Sequence, residues 1–252
     1  MTTLVLAVVA GAVVGLALGG LGGGGSMLTV PALIYLLGFS AGQATTAGLV
    51  IVSATSLAGL LAHARAGRVR WRTALPFTLA GLPVSAAAGL LSTALPGGLL
   101  TIAFALLAGL AAWRMLAPRR AAADRSETRA AAGPSRSAAT GAGLGAVTGL
   151  LGVGGGFLAV PALVSVLALP MAEAVGTSLL VITANGLAAL VPRLGAAGSM
   201  DWAVVAPFTA AAILGAWDGK RLADRFSGRT LQCAFACALL AVAAAMLAGV
   251  LA

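Results

Sequence analysis

Residues 19–33, GGLGGGGSMLTVPAL, and residues 149–163, GLLGVGGGFLAVPAL, are two copies of the stretch that decides the fold. Ten of the fifteen aligned positions are identical at an offset of 130 residues. Each copy places a cluster of glycines inside an apolar run, and glycine allows the backbone to leave the regular helix. Within a lipid bilayer, such backbone is tolerated only where it is buried in protein or lines a cavity. The doubled stretch is therefore the first candidate for a binding site.

The composition predicts an integral membrane protein. Hydrophobic residues make up 60% of the 252 residues and charged residues only 8%, against about 25% charged in a soluble domain. The net charge of +9 does not indicate nucleic-acid binding here, because the charges are confined to loops between apolar segments. Cys233 and Cys237 have no partner ligands, so we expect small packing residues and predict neither a metal nor a cofactor.

The apolar segments divide into long and short ones. A bilayer span needs about 20 residues, and the segments that qualify are 42–62, 73–92, 97–113, 173–191 and 230–252, with 202–217 marginal. Around the glycine clusters lie segments 4–20, 27–38, 139–151 and 157–169, of which the last three are too short to cross. We expect each cluster to be the tip of a hairpin of short helices that dips into the protein. One long kinked helix in place of each hairpin is the alternative.

The positions of Lys and Arg favour the hairpins. Basic residues fall in groups at 65–72, 114–136 and 220–229, with Arg193 alone. Short loops rich in Lys and Arg stay cytoplasmic. If residues 139–169 form a hairpin that returns to its own side, all three groups are cytoplasmic. With a single long helix, the last group would be external. The hairpin reading therefore predicts basic loops on the cytoplasmic side and both chain termini outside.

The repeat extends beyond the glycines. Gly67-x3-Trp71-x4-Pro76 matches Gly198-x3-Trp202-x4-Pro207, and the predicted topology puts Trp71 at the inner face and Trp202 at the outer. The fold class predicted is therefore an all-α integral membrane protein of two inverted repeats, a common plan of secondary transporters. Each repeat has a glycine-tipped short-helix hairpin plus three transmembrane helices, about eight membrane segments as usually counted. The predicted domains are repeat one at 1–117, a basic cytoplasmic linker at 118–137 and repeat two at 138–252.

Helix N-termini after the glycine clusters are the predicted substrate site. They present unpaired N–H groups and the positive end of the helix dipole, and two of them can hold a small oxyanion without an arginine. The candidate residues in the clusters are Gly22, Gly23, Gly24, Gly25, Ser26, Gly152, Gly154, Gly155 and Gly156. The alternative is that these glycines only let helices pack closely.

Polar residues in the following spans extend the predicted site. They are Thr46 and Thr55 in the first half and Thr177, Ser178 and Asn185 in the second. A solvated path and interhelical hydrogen bonding explain them equally well. Asn185 is the strongest single candidate, and its counterpart at the offset of 130 is Thr55. We expect Glu173 to be interfacial, with a proton site as the alternative, and His63 to be solvated or interfacial. We expect Arg193 to snorkel to the surface, with attraction of anions at an outer vestibule as the alternative.

The doubled Gly-x-Gly-Gly-[Gly/Ser]-x4-Pro motif, with its Trp-x4-Pro echo, resembles the TauE/SafE family of membrane permeases, the sulfite exporter group. The resemblance covers essentially the whole chain. It implies a multi-pass protein of the bacterial plasma or inner membrane that transports sulfite, organosulfonates or related small anions. An anion channel or a non-transporting membrane assembly protein is the alternative function. The expected partners are a small anionic substrate and the lipid bilayer, and a homodimer is permitted but not required. An enzyme is not expected, because one histidine and six scattered acids offer no clustered catalytic groups.

Overall fold

The computed structural model describes residues 2–21, 24–92, 97–116, 134–151, 156–166, 169–193 and 200–223, with scattered positions between 229 and 248. The described residues are helical and contain no strand. The helices are α1 (Thr2–Leu21), α2 (Gly24–Pro31), α3 (Ala41–Arg65), α4 (Trp71–Ser92), α5 (Gly97–Leu116), α6 (Pro134–Leu151), α7 (Gly156–Val166), α8 (Met171–Leu190) and α9 (Trp202–Ala223). A single π-helical turn, Ala32–Leu36, follows α2.

Among the described residues, five helices are long and apolar enough to cross a membrane. They are Thr2–Gly20, Gly42–Arg65, Trp71–Ser92, Ala172–Arg193 and Trp202–Gly219. The spans predicted at 42–62, 73–92 and 173–191 are confirmed as helices of this kind, and the marginal segment 202–217 also qualifies. The segment 97–113 falls on the 20-residue helix α5. The span predicted at 230–252 and the linker predicted at 118–137 lie mainly outside the described residues.

The helices next to the glycine clusters are unequal in length. Helix α1 before the first cluster has 20 residues, while α2 after it has only 8. In the second copy, α6 has 18 residues and α7 has 11. The expectation of short helices therefore holds for α2 and α7, whereas α1 is long enough to cross a bilayer. Helix α2 also packs against α1, so the helix that follows the first glycine cluster lies beside the helix that precedes it.

Close packing between helices from different halves dominates the fold. Helix α1 packs along α9, and α6 packs along α4. A glycine at every fourth position forms each contact, and a Cβ added at any of them would overlap the facing backbone carbonyl. In one pair Gly11, Gly15 and Gly19 face Phe208, Ala212 and Ala216; in the other Gly141, Gly145 and Gly149 face Phe77, Gly81 and Ser85. Small residues in this pattern let membrane helices approach closely.

Helices α3 and α8 occupy the centre of the molecule. They pack against each other, α4 packs against α8 and α9 packs against α3. Each is 67% buried across its most apolar window, more than any other membrane-capable helix. Outside this centre, Trp71 and Trp202 are exposed at the first residues of α4 and α9. Exposed tryptophans at segment ends fit the predicted interfacial belt. Cys233 and Cys237 are exposed, so the prediction that they pack inside the chain is wrong.

Candidate functional site

The two short helices α2 and α7 meet inside the molecule. Helix α2 begins at Gly24, Gly25 is its second residue, and α7 begins at Gly156, each at the edge of its glycine cluster. The two helices contact each other, so one helix from each copy of the motif reaches the same region. The remaining predicted cluster residues lie outside the described part of the chain; they are Gly22, Gly23, Gly152, Gly154 and Gly155.

Equivalent side chains seat both short helices in the core. Val30 and Leu33 in the first copy are buried, and so are Val160 and Leu163 at the offset of 130. Ser26, in the first turn of α2, is fully buried as well. The motif therefore turns the same apolar face inward in both halves, and it holds a hydroxyl inside the protein in the first half.

The crossing of α3 and α8 carries buried hydroxyl groups. The hydroxyls of Ser56 and Thr183 lie 2.8 Å apart across the two helices. The hydroxyl of Ser53 faces Gly186, where an added Cβ would stand only 2.6 Å from Oγ. At the offset of 130, Ser56 corresponds to Gly186 and Ser53 to Thr183. Exchanging the two halves therefore turns each contact into the other, so the two contacts lie at the centre of the repeat.

Asn185 is fully buried at this crossing, in a setting that leaves its side chain available. Neither Nδ2 nor Oδ1 has a hydrogen-bond partner among the described residues. The amide lies against α4, where a Cβ added at Gly81 would be 2.9 Å from both atoms. Ser85 Oγ donates to the backbone carbonyl of Asn185 at 2.9 Å, which fixes α8 to α4 at this level. A buried polar group without a partner is costly, and it commonly marks a functional site.

Two more buried hydroxyls near Asn185 lack partners in the described part of the chain. They are Ser53 Oγ on α3 and Thr78 Oγ1 on α4. Thr78 lies one turn before Gly81, and Ser53 faces the residue that follows Asn185. The site predicted from the sequence includes neither Ser53 nor Thr78. The sequence does offer a pattern that could have identified them, because each residue lies one turn before a small residue at a helix crossing.

The other predicted polar residues are satisfied within the fold. The hydroxyls of Thr46, Thr55 and Ser178 are buried and donate to carbonyls of their own helices, at Gly42, Ile51 and Val175 respectively. This local bonding is common for Ser and Thr in helices. Thr177 Oγ1 instead accepts a hydrogen bond from the backbone N–H of Arg70 at 3.1 Å. Thr177 therefore fixes the loop before α4 to the start of α8.

An ion pair also lies between the loop before α4 and the start of α8. The Arg70 guanidinium donates to Glu173 through Nε at 2.7 Å and through Nη2 at 2.7 Å. Hydrogen bonding and charge from Glu173 raise the pKa of Arg70 above its usual value. Glu173 stays partly exposed, which agrees with the interfacial position expected for it. The pair joins the loop between α3 and α4 to α8, so it bridges the two halves of the sequence.

Two basic residues lie deeper than expected. Arg193 is only 5% exposed and His63 only 2%, so the expectation of a snorkelling arginine is wrong and His63 is not solvated. An interfacial position for His63 stays a prediction. A one-turn 3₁₀ extension of α8 carries Arg193 between the ends of α4 and α6, where Ser92 and Gly149 accept hydrogen bonds from Nη2. At His63, α8 approaches at Gly176, which has no side chain to hold the helices apart.

Comparison with known proteins gives one consistent result. The family model described as Sulfite exporter TauE/SafE matches residues 7–246. A probable membrane transporter protein of Xylella fastidiosa (strain 9a5c) is 34% identical over 227 residues, covering 89% of this chain and 87% of that protein. A protein of the same description from Xylella fastidiosa (strain Temecula1 / ATCC 700964) matches at the same identity and coverage. No solved structure is significantly similar to the chain.

Proposed function

This chain belongs to the sulfite exporter TauE/SafE family and is a multi-pass membrane transporter, and we propose that it is a secondary transporter of small anions. Sulfite, organosulfonates and related sulfur oxyanions are the proposed substrate class, on the strength of the family's description. The observation that carries the proposal is the meeting of α2 and α7, two helices that begin at the edges of the two glycine clusters.

The chemistry at that meeting point suits an anion. The first N–H groups of a helix have no intrahelical acceptor, and the helix dipole places partial positive charge there. Helices α2 and α7 bring two such ends from opposite halves of the chain, and the buried Ser26 adds a hydroxyl group. Glycine at Gly24, Gly25 and Gly156 lets an anion approach the backbone closely. A small oxyanion can be held there by neutral groups alone.

The packing of the helices supports two inverted repeats. Helix α1 of the first half packs on α9 of the second, and α6 of the second half packs on α4 of the first. The glycines that form these contacts correspond at an offset of 130 and the residues facing them at 131. Two halves related in this way can rock against each other and expose a central site to either side in turn. Asn185, Ser53 and Thr78 then offer hydrogen bonds along the path between the halves.

Flux measurements on purified protein in proteoliposomes test the proposal. Sulfite, sulfate, thiosulfate and sulfoacetate are compared with chloride, with and without a pH gradient. We expect saturable flux of at least one sulfur oxyanion. Flux that rises linearly with concentration would indicate a channel instead. Absence of flux for all of these anions from folded protein would refute transport of this substrate class.

Substitutions in the glycine clusters test the site. Gly24→Val and Gly155→Val should abolish flux while the protein remains folded, and Ser26→Ala should weaken anion binding modestly. Gly98→Val on α5 is the matched control, because an added Cβ there meets nothing within 4 Å. Normal transport by both cluster variants would remove the glycine site from the mechanism.

Reporter tags at the termini test the orientation. The inverted repeat predicts an external N-terminus, an external C-terminus and cytoplasmic basic loops in the bacterial plasma or inner membrane. A tag at the C-terminus should therefore react with a membrane-impermeant reagent in intact cells. A tag that reacts only after the membrane is opened would rule out opposite topology of the two halves.

A further inference from the structure

Arg193 is a buried cation whose setting the proposed site does not use. Its side chain is 5% exposed and sits between the ends of α4 and α6. Nη2 donates to Ser92 Oγ and, at 3.2 Å, to the carbonyl of Gly149. Both acceptors bind the same nitrogen, so they fix the plane of the guanidinium group from one edge. Nε is buried and has no acceptor among the described residues.

No carboxylate of the described part of the chain neutralises Arg193. Glu173 pairs with Arg70, Asp218 pairs with Arg221, and Asp201 accepts from the backbone N–H of Ala203. A serine hydroxyl and a peptide carbonyl carry no charge, so no described residue balances the charge of this buried guanidinium group. An arginine within a membrane segment normally has a partner, and an unneutralised one is a functional site by default. Capping the ends of α4 and α6 explains the position of Nη2 but leaves Nε without a role.

The repeat places another buried basic residue at the equivalent position. At the offset of 130, Arg193 corresponds to His63, which is 2% exposed near the end of α3. Buried basic side chains at the same point of both halves are not expected from packing, because apolar residues would fill that space at lower cost. A buried basic residue therefore lies near the C-terminal end of each central helix, within the last turn of α3 and just after α8.

We propose that Arg193 binds the transported anion, as an oxyanion-binding residue that follows α8 and lies against the end of α6. The proposal rests on the proposed function. Gly149, which accepts from Arg193, is only three residues before Gly152, the first glycine of the second glycine cluster. An oxyanion at this point accepts from the unpartnered Nε–H and supplies the negative charge that the described residues lack here. Arginine suits this role because its planar donors match the geometry of oxyanions and its charge is permanent.

Half-saturation of flux in proteoliposomes and thermal stabilisation by the anion in detergent test the proposal together. Arg193→Gln keeps a polar side chain but removes the charge, and it should raise the half-saturating concentration about tenfold to a hundredfold. The matched control is Arg72→Gln, which removes an exposed arginine at the start of α4 and should leave both readouts unchanged. Equal half-saturation for wild type and Arg193→Gln would overturn the proposal.

A second variant keeps the test decisive if Arg193→Gln does not fold. Arg193→Lys keeps the charge but has no Nε–H, so anion affinity should fall while the protein stays folded. Unchanged affinity in Arg193→Lys would overturn the role of the guanidinium group. If wild type transports no anion, the proposed function fails. Arg193-dependent thermal stabilisation by sulfite would then still support an anion site.

A phospholipid headgroup is the other source of an oxyanion at this position. Flux is therefore compared in vesicles of phosphatidylcholine with and without phosphatidylglycerol. A free-anion site predicts the same effect of Arg193→Gln in both vesicles. An effect that appears only with phosphatidylglycerol would overturn binding of the transported anion in favour of a lipid contact.

Discussion

Replacing Asn185 by leucine should make the protein more stable and less active. Leucine has the same branching as asparagine, so the change removes two polar atoms without changing the shape of the side chain. Both of those atoms are buried and without partners in the described part of the chain. The hydrogen bond from Ser85 reaches the backbone carbonyl of Asn185, so it is retained. The substitution therefore isolates the contribution of the amide.

The expected magnitude follows from the missing hydrogen bonds. A buried polar group without a partner costs about 1–3 kcal/mol, and Asn185→Leu should recover an amount in this range. For a chain of this size, that corresponds to a rise of about 2 to 12 °C in Tm. If the amide binds the anion, loss of a hydrogen bond to a charged ligand should raise the half-saturating concentration about tenfold to a hundredfold.

Thermal unfolding in detergent and flux in proteoliposomes measure the two effects on one preparation. Thr55→Val is the matched control, because Thr55 is the counterpart of Asn185 and its hydroxyl already donates to Ile51 at 2.6 Å. The control should change stability by less than about 1 kcal/mol and leave flux nearly unchanged. A lower Tm with unchanged flux in Asn185→Leu would refute the reasoning, since it would show that the amide serves packing between helices.

Three further changes test the packing and the ion pair. Gly145→Ala should destabilise the protein by about 1–3 kcal/mol, because the added Cβ overlaps the facing backbone of α4; Gly143→Ala on the same helix meets open space and should be neutral or stabilising in the same thermal scan. In a double-mutant cycle that combines Thr183→Val with removal of its hydroxyl partner on α3, the coupling energy should be about 0.6 kcal/mol. A coupling energy of zero would contradict the hydrogen bond. Glu173→Gln should change the maximal flux rather than the half-saturating concentration, because it releases a link between the halves away from the proposed site; restoration by exchanging the charges of Glu173 and Arg70 is the check.

Long, uniformly apolar segments could be predicted from the sequence to within a few residues. Helices α3, α4 and α8 begin and end within three residues of their predicted bounds. Helix α1 also begins and ends within two residues of the predicted segment 4–20, but the sequence does not show what its glycines at every fourth position do. The structure shows that those glycines serve helix packing against α9. Glycine at every fourth position is compatible with either a broken helix or close helix packing, and only the contacts with the neighbouring helix show which applies.

The burial of Arg193 and His63 could not be predicted by treating each half separately. Both residues follow long apolar runs, where basic side chains normally reach the membrane surface. Which helices cover them depends on contacts between the halves, such as the approach of α8 at Gly176. The sequence alone nevertheless shows that the two residues correspond at the offset of 130. Comparing the two halves residue by residue is thus more informative than hydropathy for finding polar sites in a repeated membrane protein.

The two halves agree where they pack and differ where polar chemistry is found. Glycines of the helix contacts and apolar residues of the short helices recur at the offset of 130. At the same offset Thr55 corresponds to Asn185 and His63 to Arg193. Gln43 corresponds to Glu173, which pairs with Arg70. In the proposed mechanism, similar packing would let either half move against the other at comparable cost. Different polar groups would then make the two directions unequal for the proposed anion, so the inward-facing and outward-facing states should differ in affinity.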